Sequence, residues 1–219
     1  TVRACCMSPY SLVGDGLALL ASCATETAPA PVTDPVTAPA PMSEVDRGLE
    51  TARELTAAGN EQTAIDRLTQ LLGDPELSAR ETADILYVRA QLRHGAGNDL
   101  FGAISDLDEM LAIDPSHPDA ETAIGLRDMA RGEATSLNGR LEQGGLSSTE
   151  RFEILFRLGQ HQDALDVMVA EGLTPDNGTL IDFYQMGYLC EGTEFTGPSY
   201  DAVEPDGTQR TLQVCDFGK

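Results

Sequence analysis

A reaction centre in this chain of 219 residues would have to draw on three histidines, five cysteines and 36 acidic side chains. His94, His117 and His161 lie far apart in sequence, and no serine, cysteine or carboxylate pattern marks a nucleophile–base–acid triad. Asp106, Asp108 and Glu109 are close in sequence. On a helix they splay apart and read as a solvated face. The run Asp114-Pro-Ser-His117-Pro-Asp119 has metal-ligand side chains, but a loop joining two helices accounts for it better. Asp176-Asn177-Gly178 opens like a calcium loop and then lacks the later glutamate ligand. Gly95-Ala-Gly97 lacks the strand and the third glycine of a nucleotide site. The expectation is a non-enzyme, with no catalytic residue, no metal and no cofactor.

The formal net charge of −22 repels nucleic acid and anionic headgroups, and it favours basic partners or divalent cations. Solubility alone accounts for it equally well. Hydrophobic residues make up 41% of the chain and aromatics 5%, with no Trp. That balance favours a helical core of Leu, Ile, Val, Ala and Met.

Residues 1–22 read as an export signal. Arg3 gives a basic start, and Ser11–Leu20 is mostly apolar, interrupted by Asp15. That run is far shorter than the roughly 20 residues needed to span a bilayer. Leu20-Ala21-Ser22-Cys23 resembles the lipobox of bacterial lipoproteins. The resemblance implies cleavage before Cys23, lipid on its sulfur, and anchoring to the periplasmic face of the outer membrane. A type I signal cut after Ala24, giving a soluble periplasmic protein, and a plain N-terminal helix are the alternatives. Residues 23–42 carry five prolines among Ala and Thr, a composition that makes an extended tether. With Cys5 and Cys6 in the leader and Cys23 lipidated, Cys190 and Cys215 remain as one pair. In an exported protein that pair reads as a disulfide.

The body of the chain, residues 43–190, repeats. From Asp84 to His117, Ile85, Leu86, Val88, Ala90 and Leu92 fall on one helix. Gly95-Ala96-Gly97-Asn98 breaks it, with Asn98 as candidate cap. Phe101, Ile104, Leu107 and Leu111 fall on a second helix, and Asp114-Pro115 ends it. Ala64 with Leu68 and Ala164 with Met168 repeat the small-then-large spacing of Ala103 with Leu107. Ser43-Glu44-Val45-Asp46 and Ser147-Ser148-Thr149-Glu150 look like capping boxes. A helix through Ile124, Leu126 and Met129 follows Pro118, and Thr179–Leu189 is expected to form another.

The Asp84–His117 unit resembles a tetratricopeptide repeat, whose period is about 34 residues. Tyr87, Ala90, Ala103, Leu107 and Pro115 carry the match, and Gln91 and Met110 depart from it. The resemblance is thus to tetratricopeptide-repeat bacterial lipoproteins. It implies an all-α solenoid of helical hairpins whose concave face holds an extended peptide or helix of another protein. By that analogy Leu49, Arg53, Val88 and Leu92 lie on the concave face, although packing against the next unit accounts for Val88 and Leu92 just as well. The implied role is a protein-interaction scaffold of the cell envelope, with an assembly or secretion accessory and an enzyme accessory as alternatives.

The end, residues 191–219, changes character. Ser199–Val203 and Gln209–Val214 flank Glu204-Pro205-Asp206-Gly207, which predicts a β-hairpin. A lone hairpin is marginal in water, so Cys190–Cys215 is expected to staple it to the last helix. A binding edge is the other reading of the hairpin.

Overall fold

A computed structural model describes residues 42–192 and 197–215. The expected leader, Cys23 and nearly all of the tether lie outside the described residues. Within them the chain forms eight helices and then three short strands. The helices are α1 (Glu44–Ala57), α2 (Glu61–Leu71), α3 (Ala79–His94), α4 (Leu100–Ile113), α5 (Ala120–Gln143), α6 (Ser148–Arg157), α7 (His161–Ala170) and α8 (Asn177–Gln185). The strands are β1 (Leu189–Glu191), β2 (Ser199–Val203) and β3 (Gln209–Val214). None of the described helices is long and apolar enough to cross a membrane.

Helices α1/α2, α3/α4 and α6/α7 pair as hairpins. The small-then-large pairs are where they close: Ala64 and Leu68, Ala103 and Leu107, and Ala164 and Met168 are all fully buried. A methyl-sized side chain lets the partner backbone approach, and the large one a turn later fills the gap. The helix starts are set by local hydrogen bonds. Ser43 Oγ accepts from Asp46 N at 3.0 Å, with no reciprocal arm. Ser147 and Glu150 form the full box. Ser78 and Glu81 form another, which starts α3 five residues before Asp84. Asn98 does not cap α4; it takes the left-handed turn (φ 44°), and Asp99 Oδ1 accepts from Gly102 N at 2.8 Å instead.

Helix α5 is a single 24-residue span that runs through Gly125, Gly132 and Gly139 and stops at Gly144 (φ 70°). Its buried Ala130 and Ala134 join Leu100, Ile154 and Leu158 in one apolar cluster, so α5 bridges the second hairpin and the third. The turns of those hairpins also dock directly. Phe101 N donates to Leu158 O at 3.3 Å, and Arg157 Nη1 donates to His94 O at 2.6 Å, answering a carbonyl of the α3 C-terminus.

Asp106 is not on a solvated face. It is 2% exposed and holds two arginines of α3. Arg89 donates to its two carboxylate oxygens at 2.9 and 2.6 Å, and Arg93 Nη1 donates at 3.0 Å. Arg89 Nη1 also reaches Thr69 Oγ1 of α2 at 2.9 Å. Asp108 faces α5, where Arg127 and Arg131 pair with it; Glu109 is exposed.

The C-terminal part is a three-stranded antiparallel sheet in the order β1-β3-β2. Helix α8 ends at Gln185 rather than Leu189, because Gly187 (φ 81°) turns the chain into β1. Cys190 therefore sits in a strand, and the Cys190–Cys215 pair, at disulfide distance with Cα atoms 5.1 Å apart, staples β1 to the end of β3 rather than to the last helix. The expected hairpin is β2–β3, closed at Pro205-Asp206-Gly207 by Gly207 N donating to Glu204 O at 2.9 Å. It does not rely on the staple alone: Leu189, Tyr200, Ala202 and Leu212 join Phe152, Phe156, Phe183 and Met168 in one buried cluster.

Candidate functional site: a groove between the first two hairpins

The first helices of the first two hairpins, α1 and α3, present neighbouring stripes at helical spacing. Leu49, Ala52, Arg53 and Thr56 come from α1, and Asp84, Tyr87, Val88, Gln91 and Leu92 from α3. Together with Asp119, just before α5, they line a groove of about 550 Å³. All four residues expected on the concave face thus meet in one place. Their roles in it differ. Leu49 is 8% exposed and forms floor. Val88 and Leu92 are half-buried against the core of the first hairpin, so each both packs and faces the groove. Arg53 is exposed and held by Glu50 at 2.9 Å.

The other end of the groove is polar and built on a buried histidine. His117 has a fully buried side chain. Its Nδ1 accepts from Asp119 N at 3.0 Å, so the proton sits on Nε2 and is shared with Asp84 Oδ1 at 2.9 Å. The ring lies 6.3 Å from that of Tyr87. Burial, followed by the Asp119 charge, pushes the Tyr87 hydroxyl up from its ordinary value, and hydrogen bonds to Thr122 and Gln91 oppose this. In the same loop Asp114 is spent on its own turn, accepting from Ser116 N at 3.1 Å and Ser116 Oγ at 2.9 Å. The Asp114–Asp119 run is therefore a structural loop whose histidine orders the groove wall. No group of three or more histidine, cysteine or acidic side chains among the described residues could hold a metal.

Two of the further concavities draw on the chain's second half. One, about 470 Å³, is lined by Phe152, Phe156, Arg157, Pro175 and Asn98. Beside it His161 is pushed below the usual histidine range by burial, and its Nε2 meets Asn98 O at 3.3 Å. The other, about 440 Å³, has Glu61, Asn177, Asp182 and Glu204 in its wall. Burial, then Glu61 and Asp176, pushes the Asp182 carboxyl up to about 6. Asp176-Asn177-Gly178 is the start of α8: Asp176 accepts from Thr179 N at 3.1 Å and from Thr179 Oγ1 at 2.8 Å. Asn177 occupies the Val203 end of the β2 edge, donating to Val203 O at 2.7 Å and accepting from Val203 N at 2.6 Å.

Sequence reasoning misses the polar end of the groove. Tyr87 and Asp84 enter it only as repeat positions, and Asp119 only as a loop residue. The signal that could have found them is the i, i+3, i+7 stripe Asp84, Tyr87, Gln91 beside Val88 and Leu92. No family model, curated protein or solved structure matches the chain.

Proposed function

We propose that this chain is a non-catalytic protein-interaction scaffold, a tetratricopeptide-like helical solenoid that holds a protein or peptide in the groove between α1 and α3. One observation carries the reading: Leu49, Arg53, Val88 and Leu92, expected on the concave face by the tetratricopeptide analogy, line a single groove with an apolar floor and a polar wall. Pockets of this size, mostly apolar with a few placed polar groups, suit an anchoring side chain of a partner. The three hairpins with buried small-then-large pairs support the repeat reading.

The same proposal places the protein in the bacterial cell envelope, lipid-anchored through Cys23 to the periplasmic face of the outer membrane, with a partner from that compartment. The lipobox-like sequence, the proline tether and the Cys190–Cys215 pair support it. In the binding test, wild type and Val88→Asp are used to capture partners from detergent-solubilised envelope. A discrete set of proteins held by wild type and lost with Val88→Asp is expected. Identical capture by both, or turnover of cell-wall or ester substrates by the purified chain, would sink the scaffold reading. For the anchor, Cys23→Ala should leave the membrane fraction; a variant that still pellets with membranes contradicts it.

A further inference from the structure

We infer that the groove selects a basic partner segment, one Lys or Arg side chain entering between Asp84, Asp119 and Tyr87 while a neighbouring apolar side chain rests on Leu49, Val88 and Leu92. This rests on the groove being the binding site. The charges there do not cancel. Arg53, the only cation among the described lining residues, is already held by Glu50 at 2.9 Å. His117 accepts from Asp119 N at Nδ1 and meets Asp84 Oδ1 at Nε2, so its ring stands between the two carboxylates. Arg80 touches Asp84 at 3.4 Å but divides itself with Asp114 at the same distance. The groove and its ion partners thus set Glu50, Asp84, Asp114 and Asp119 against Arg53 and Arg80.

The geometry adds a receptor to that excess charge. A tyrosine ring at the same end of the groove as two carboxylates offers a cation both ion pairing and its π face. Low-dielectric apolar walls beside it strengthen the attraction relative to open water. An acidic partner would instead bring like charges together at this end, which costs affinity and rejects it. The chain's overall −22 steers basic segments toward the protein, and the groove fixes where they stop.

Two blocked amphipathic peptides of about 14 residues, one of Leu and Lys and one of Leu and Glu, serve as probes, with fluorescence anisotropy as the readout on the full chain. The Leu/Lys peptide is expected to bind and the Leu/Glu peptide to bind at least about tenfold more weakly. Asp84→Asn with Asp119→Asn should weaken Leu/Lys binding about tenfold; the amide introduced in place of the Asp84 carboxylate keeps the oxygen that His117 needs. Asp163→Asn with Asp166→Asn, the same charge change on exposed α7 positions, should leave it within about twofold. Asp119→Asn alone, at a rim position, should cost about threefold and guards against misfolding of the double variant. Equal weakening by the two double variants would mean diffuse attraction and would overturn the inference. Equal binding of both peptides, lost in the charge-neutral Val88→Asn, would overturn it while leaving the scaffold reading intact. Peptide binding that ignores Val88→Asn would remove the groove itself and both readings with it.

Discussion

The Asp106 carboxylate lies inside the α3/α4 hairpin and accepts from two guanidinium groups, Arg89, which also reaches Thr69 on the preceding hairpin, and Arg93, which also pairs with Asp99 at 3.4 Å. Truncating one member of such a network leaves charges buried without a counterion. Asp106→Ala is expected to cost about 3–5 kcal/mol in urea unfolding; a loss under about 1 kcal/mol would mean that water replaces the carboxylate freely. Asp182 acts in the opposite sense. Its folded value of about 6 lies above its ordinary 3.8, so the folded state binds the proton more tightly. Its contribution to stability is complete below the unfolded value and is lost as pH rises through about 6. Asp182→Asn should therefore stabilise the fold at pH above about 7, by about 1–2 kcal/mol after screening at a partly buried site. The gain should vanish below about pH 4. Melting curves across pH check this, and a gain that persists in acid would contradict it.

At the scale of elements, the turns do more than connect. Gly159 sits at φ 83°, and a Cβ there would overlap the Asp99 carboxylate that caps α4. Gly159→Ala is thus strained twice, by backbone handedness and by the docked neighbour. It is expected to destabilise by about 2 kcal/mol, measured by thermal unfolding. The sheet is held by both a staple and a core. Reducing Cys190–Cys215, which encloses a separation of 25 residues, removes a constraint worth about 3 kcal/mol by loop entropy. Hydrogen exchange should rise in β1 and β3 while α1–α4 stay protected; uniform deprotection would show that the sheet and hairpins unfold as one unit.

The hairpins were legible because one small-then-large spacing recurs at Ala64/Leu68, Ala103/Leu107 and Ala164/Met168, and burial enforces it each time. The Pro-Asp-Gly turn and the cysteine pair were legible from their own chemistry. The end of α8, the third strand and the burial of Asp106 were not. Gly187 ends a helix by a backbone angle that composition does not announce, and Leu189-Cys190-Glu191 is too short to show alternation. Asp106 looks like a surface carboxylate until Arg89 and Arg93, 17 and 13 residues away, fold onto it.

At the scale of the molecule, hairpin pairing along the chain brings first helices side by side and leaves a groove where α1 meets α3. These three concavities differ in character: an apolar floor with an acidic end, an aromatic-lined hollow, and an acidic wall. The first gathers the residues that the tetratricopeptide analogy singled out. Binding there is the central claim, and a photo-crosslinking amino acid tests it most directly. Placed at position 88 or 92 of the full chain in its own cells, it should yield one or a few discrete crosslinked proteins on illumination. The same group at the exposed α7 position Gln162 should yield none. No adduct from 88 or 92, or the same adducts from 162, would contradict the account.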